Sequence, residues 1–357
     1  MHEDFTTQIN NMRNEYLLKT EELFVANKNR WFADFSGHFR DICIKIRKWQ
    51  DESVLPAISY LEYTMLYSNF INRRYVADIF VYGDKSYLDK SQRWIGAYDI
   101  SFLFVYFNEL WDKLLSERKY YVGKVSAREI TYFMLRALSD FYSYLTSIIR
   151  FTILSFADES PIANIDKNES FIANVGDYMA KTEPVYKEKK YKDAKKLIDW
   201  FGEQLYSKYI FGDYAGLDFS EKVFSNTDLR FARFSGAALK DTNLGGSSLI
   251  GANFRNADME RCRLDNCTIK EADFSNATLK NASFRYTRAK VGLTNEKEWE
   301  FVGFLPTIFR NADLTNADFT GADLTGADFS GAVLIGANFN NAILDKVIFD
   351  GCIGREG

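Results

Sequence analysis

The chain has 357 residues, with 45 Lys and Arg against 49 Asp and Glu, a formal charge of −4 and a pI near 5.5. That length predicts two domains, and the charge argues against a general nucleic-acid binder driven by net charge, so direct nucleic-acid binding is not expected. The opening MHEDFTTQINN is too polar for a signal peptide, and Asp99 and Arg150 keep the longest apolar stretches below the ~20 residues of a membrane span. A cytoplasmic protein with no membrane span is the expectation.

Residues 1–190 are rich in Phe, Tyr and Trp at helical spacing and predict an α-helical domain. One helix is predicted from Phe5 to Lys28. A second runs from Asp34 to Trp49, with Phe35, Phe39, Ile42 and Ile46 on one stripe. Pro56 suits a first helical turn, so a third helix is read from there with Ile58, Leu61 and Met65 in line. RYVADIFVYGDKSYLD reads two ways, as a strand closed by a Gly-Asp turn or as a helix end. Ile100–Leu115 and Ala127–Leu154 are read as helices, the latter opened by a capping box of Ser126 and Glu129. The lysine-rich run 181–196 reads as a solvated face, with contact to a nucleic acid or an acidic partner as the lesser reading. Segment 191–214 is read as linker and capping helix. Its stripe of Leu197, Ile198, Phe201, Leu205 and Tyr209 would cover the first coil of a solenoid beginning near residue 215, because an open solenoid end exposes core and unpaired backbone.

From Phe219 to Phe284, and again from Phe309 to Phe349, every fifth residue is Phe, Leu, Ile or Met, usually with a small residue two places before it. A period of five fits neither a helix nor a simple strand. It fits a coil of short segments joined by turns, with coils stacked at about the 4.8 Å spacing of paired strands. Each unit then points its large and its small residue inward. Ala252, Ala272, Ala312, Ala317, Ala322 and Ala327 are packing residues in that reading. Cys262 and Cys267 fill two such small slots as slightly larger alanines; their spacing, without histidines, does not suit zinc. No cofactor and no disulfide are expected.

These units resemble the pentapeptide-repeat family, A(D/N)LXX, over about 217–351. The resemblance implies a right-handed quadrilateral β-helix with four units per coil, so that the fold class is α plus β-solenoid, with the repeats spanning 215–353. Under that geometry Phe234, Phe254 and Phe274 form one ladder and Phe309, Phe329 and Phe349 another, with Phe319 and Phe339 on the opposite face. Residues 285–308 lack the small/large pairing and are read as an insertion, either a loop or distorted coil, or a projecting recognition element. NEKEWEFVGF within it could form a short helix capped by Thr294 or Asn295, with Trp299, Phe301 and Phe304 as its apolar content. The segments ISYLEYTMLYSN, VYGDKSYLD and FLFVYFNELWDKL are loosely similar to the N-terminal regions of some two-domain bacterial members.

No catalytic constellation emerges. The two histidines, His2 and His38, stand apart, and GxSxG, HExxH, CxxC, Walker A and GxGxxG are all missing. Some members of the family protect DNA gyrase as acidic DNA mimics, usually as dimers joined at their C-terminal ends. Here residues 311–345 carry Asp313, Asp318, Asp323, Asp328 and Asp345 with no Lys or Arg, whereas bases modestly outnumber acids between Arg230 and Lys280. A duplex carries phosphate charge along its whole length, so such a rod changes sign where DNA does not. The expected function is a non-enzymatic interaction or scaffold protein of unidentified protein partner, with a homodimer as a possible assembly. The alternative is a DNA-mimic regulator of gyrase or another topoisomerase. Trp299, Phe301, Asp313, Asp318, Asp323 and Asp328 are the candidate interaction surface.

Overall fold

The structure is a computed structural model that describes residues 3–83, 92–121, 125–155, 161–178, 182–189, 209–291 and 304–354. The described residues up to Lys187 form one compact unit and those from Glu188 onward a second.

The first unit is helical, but it is built on a sheet that the sequence reading did not foresee. Helix α1 runs unbroken from Glu3 to Asp51. The expected break near residue 30 does not occur, because Phe24, Trp31, Phe35 and Phe39 continue one buried stripe through the polar stretch between them. The residues after Pro56 form strand β1, Ile58–Met65, and not a third helix. Nearly all of β1 is buried. Such a strand shows no alternation of polar and apolar residues, and chance spacing of Ile58, Leu61 and Met65 then mimics a helix. A short helix α2, Tyr67–Ile71, comes next. The ambiguous segment resolves as strand β2, Val76–Tyr82, and β3 spans Arg93–Asp99. A 3-10 turn at Ser101–Leu103 precedes α3, Val105–Glu117. Helix α4, Ala127–Ser155, opens with the expected capping box. Glu129 Oε2 accepts from the Ser126 amide at 2.7 Å, and Ser126 Oγ accepts from the Glu129 amide at 3.2 Å. Strands β4, Lys167–Asp177, and β5, Thr182–Lys189, complete a sheet of order β3-β2-β1-β4-β5. β1 is antiparallel to β2 and parallel to β4. The lysine-rich run thus begins as an edge strand.

His38 of α1 lies among Phe35, Tyr63 and Tyr98, its ring 4.6 Å from that of Tyr98. Its Nε2 and the Tyr63 hydroxyl are buried and have no hydrogen-bond partner among the described residues.

The second unit is a β-solenoid. Isolated parallel bridges link residues twenty apart, such as Asn253 to Asp273, so each coil holds four five-residue units. Phe254 N donates to Asp273 O at 2.7 Å and Asp273 N to Ala252 O at 2.9 Å, and this pairing recurs along the stack. Across the insertion the bridge runs from Asp273 to Ile308, thirty-five residues (308 − 273) where twenty is the rule, so fifteen (35 − 20) are extra. The insertion is therefore shorter than 285–308. Thr287, Arg288 and Ala289 still form a regular unit, with Thr287 and Ala289 buried.

Because the inserted length is a multiple of five, the two expected Phe ladders are one. Phe274 stacks on Phe309 at 4.9 Å and 5°, joining Phe234 and Phe254 to Phe329 and Phe349. A second column, Phe284, Phe319 and Phe339, meets the first edge to face, as in Phe309–Phe319 at 5.7 Å and 87°. Polar small-slot residues are satisfied by the coil beneath. Thr242 Oγ1 donates to Phe219 O and Ser247 Oγ to Phe224 O, both at 2.9 Å, and Cys267 Sγ to Leu244 O at 3.1 Å. Cys262 and Cys267 face inward as expected, and burial pushes the Cys267 thiol up to about 12.

This packing has two measurable consequences. Phe309→Ala should cost about 3–5 kcal/mol through cavity formation and increase hydrogen exchange in the coils on both sides of residue 309. In the first unit, burial holds the His38 imidazole below its ordinary range against an opposing pull from Asp41. The folded chain then resists a proton that the unfolded chain accepts near pH ~6.5, so stability is whole above that pH and declines as pH falls below it. Melting curves between about pH 7.5 and 5.5 should show this decline, and His38→Phe should flatten it.

Candidate functional site

The Asp residues before each central residue are held by their own turns. Asp313 Oδ1 accepts from Thr315 N at 3.2 Å and from Thr315 Oγ1 at 2.6 Å. Thr320, Thr325 and Ser330 donate in the same way to Asp318, Asp323 and Asp328. Short polar side chains commonly bond backbone two residues on, and here that bond shapes each corner of the coil. The four carboxylates do not form one surface. Their bridges place them in four separate columns: Asp313 with Val333, Asp318 with Asn338, Asp323 with Ile343, and Asp328 with Ile348.

Three of the four also meet bases from the coil beneath. Lys280 Nζ lies 3.2 Å from Asp313, Arg285 Nε 3.8 Å from Asp318, and Arg310 Nη2 2.6 Å from Asp328. Asp328 is the extreme case, with its side chain only 2% exposed. Burial alone would raise its carboxyl, but hydrogen bonds from Ser330 and Arg310 outweigh it and hold the group below the usual range. The proximal bases are similarly engaged: Lys240 with Glu260 at 2.6 Å, Arg255 with Asp273 at 3.0 Å, and Arg261 with Asp241 at 2.6 Å. The change of charge along the sequence is therefore knitted into ion pairs between coils.

Trp299 and Phe301, like Leu197, Ile198, Phe201 and Leu205 of the predicted capping helix, lie outside the described residues. Tyr209, the last of that stripe, is buried in the solenoid core. The return of the insertion is visible: Glu271 Oε1 accepts from Phe304 N at 2.7 Å and Leu305 N at 3.2 Å, and Phe304 is fully buried. The sequence signal for this anchor is slight. Glu271 occupies the left-handed turn slot (φ 60°) that is mostly Asn or Gly elsewhere, although Glu221, Arg261 and Lys346 share it.

The last described coil differs from those below it. Every central residue from Phe219 to Leu334 in the repeats is buried, but Phe339, Leu344 and Phe349 are only partly so. Ile335, Ile343, Ile348 and Ile353 stand outward, 52%, 50%, 41% and 57% exposed. Among the described residues, the amides of Phe339, Asn341, Leu344 and Lys346 find no backbone carbonyl, whereas Phe319 N one coil earlier bonds Asn338 O. Two of the outward isoleucines were readable in the sequence: Ile343 and Ile348 stand one coil above Asp323 and Asp328.

Eight copies of the family described as pentapeptide repeats match residues 215–246, 247–285 and 307–352. The repeat region belongs to the pentapeptide-repeat family. Among solved structures, this chain is similar to HetL, a pentapeptide repeat protein involved in heterocyst differentiation regulation from the cyanobacterium Nostoc sp. strain PCC 7120. The identity is 16%, over 47% of this chain and 99% of that one, with a TM-score of 0.18. QnrB1, a plasmid-mediated fluoroquinolone resistance protein, is 18% identical over 41% of this chain and 90% of its own, at a TM-score of 0.21. Rfr23, from the cyanobacterium Cyanothece 51142, is 20% identical over 40% and 88%, at 0.17. No match was found among curated proteins.

Within the pentapeptide repeats, the four Asp residues should respond unequally to neutralisation. Asp328→Ala removes a buried acceptor of Ser330 and Arg310 and should cost roughly 1–3 kcal/mol, read as a lower melting temperature of the solenoid. Asp323→Asn keeps an acceptor for Thr325 and should stay within about 0.5 kcal/mol of the native chain.

Proposed function

We propose that this chain is a non-enzymatic interaction protein whose solenoid, a right-handed and four-sided coil in this reading, is a rigid docking scaffold in the cytoplasm. Its distal coil is the docking face, and a second copy of the chain is the first partner to consider. The observation that carries this reading is the combination, in one coil, of partly exposed core rings, four outward isoleucines and unpaired amides. Apolar surface of this kind marks contact sites, and open strand edges recruit further strands. Pairing through one shared face gives a closed two-fold dimer and not a fibre. Membership of the repeats in a family of structural and interaction proteins supports the absence of catalysis in this reading.

The DNA-mimic reading is the weaker one. A duplex mimic needs an acidic face along the rod, whereas the candidate carboxylates occupy four columns and three are already paired with bases. Light scattering on the whole chain should give twice the 41.3 kDa chain mass. Ile343→Asp with Ile348→Asp should return it to the mass of one chain without lowering the solenoid melt. A native chain that stays single at every concentration ends the self-pairing proposal. A gyrase supercoiling assay tests the alternative: unchanged supercoiling at micromolar protein removes it.

A further inference from the structure

Between Glu117 and Asp140 the first unit carries its charges unevenly. The acids there are engaged. Glu117 Oε2 accepts from Gln8 Nε2 at 3.0 Å, Glu129 closes the capping box on Ser126, and Asp140 lies 3.8 Å from Arg13. The bases are not. Arg118, Lys119, Arg128 and Arg136 are exposed and have no carboxylate partner among the described residues. Tyr120 and Tyr132 stand beside them, 73% and 63% exposed, more than any other ring among the described residues. Each ring has one of the bases near it. Lys119 Nζ lies 5.2 Å from the Tyr120 ring centre, and the Arg136 guanidinium 5.9 Å from that of Tyr132.

The fold gathers these side chains. Arg128, Tyr132 and Arg136 follow one another at four-residue spacing on α4, so they form one stripe about 12 Å long. Arg118, Lys119 and Tyr120 belong to a 3-10 turn, Arg118–Tyr121, that continues α3. The Val125 amide donates to the Tyr121 carbonyl at 3.3 Å, which holds that turn against the start of α4. Bases and rings therefore share the end of the α3–α4 pair and the stripe that runs from it.

Tyrosine rings level with basic heads suit the boundary between water and hydrocarbon, where the ring is half wet and half apolar. Lys and Arg at that level are drawn to anionic lipid. A nucleic-acid strand is the poorer match, because it asks for bases along a groove, and here they ride on a helix stripe and a turn. We propose that this face is a peripheral contact for an anionic lipid surface, with the two tyrosines at headgroup depth and the four bases on lipid phosphates. It stands apart from the distal-coil reading, since every residue in it belongs to the first unit.

The test is co-sedimentation of the whole chain with phosphatidylcholine vesicles, pure or carrying about 30% phosphatidylglycerol. Binding should appear on the anionic vesicles only and weaken about tenfold or more between ~50 and ~300 mM salt. Arg128→Gln with Arg136→Gln should lower affinity about tenfold or more and flatten the salt dependence. Tyr120→Ser with Tyr132→Ser should lower affinity and leave the salt dependence as it is, which bases acting alone would not produce. All four changes are at exposed positions, and an unchanged melting curve shows each variant folded. Should a double variant melt early, Arg128→Gln and Tyr120→Ser alone decide the matter. No binding to anionic vesicles at ~50 mM salt overturns the proposal, as does native affinity in either folded double variant. A single-stranded RNA or polyglutamate bound more tightly than the vesicles overturns it too and assigns the face to that partner.

Discussion

Backbone pairing between coils, at a fixed step of twenty residues, is the constraint on which the rest of the second unit depends. Each central residue must sit on the residue one coil below, so side chains that tile well on their own kind are favoured. Phenylalanine does this at ring separations of 4.6 to 5.4 Å along the main column, close to the ~4.8 Å between paired strands. The same step explains why the insertion does not break the tube. Fifteen extra residues, three whole units, return the chain in phase, and Phe309 lands on Phe274 as Phe254 lands on Phe234.

That constraint also governs polar side chains. The central residue's carbonyl accepts the amide three residues on, as in Ala232 N to Leu229 O, and it can accept a second donor from the coil above. Ser, Thr and Cys in the small slots supply that donor, which is why they replace Ala without leaving a buried polar atom unsatisfied. Outside, the corner Asp is tied to the hydroxyl two residues on, and bases reach acids one coil away. The more exposed of these pairs, such as Lys280–Asp313, contribute at most about 1 kcal/mol each, and Asp328 is the buried exception. The apolar columns hold the stack; the charges trim its surface.

The solenoid was legible because two inward residues in every five, one small and one large, are written openly in the chain. The Asp rows were only half legible. Their repetition suggested a surface, but D-x-T and D-x-S, in Asp313/Thr315 through Asp328/Ser330, spelled out a turn whose carboxylate is occupied. The first unit was harder for a physical reason. β1 is buried on both faces and loses its period-two signature, and the polar stretch before Trp31 concealed that α1 continues. Strands β4 and β5 went unread, β5 because its start lies in a run that looked like a solvated face.

A stacked coil is also a poor place for a pocket. Its axis is filled by two ring columns crossing edge to face and by methyl-sized neighbours, leaving nothing for a small molecule to enter. Along the stack the ring column passes from buried at Phe329 to partly exposed at Phe349. The sheet unit is the opposite case. Its parallel strand pair ends in a crevice walled by Tyr67 and Tyr132. The two kinds of backbone pairing in this chain therefore leave two kinds of surface: partly exposed rings in the last coil, and a crevice where the parallel strands end.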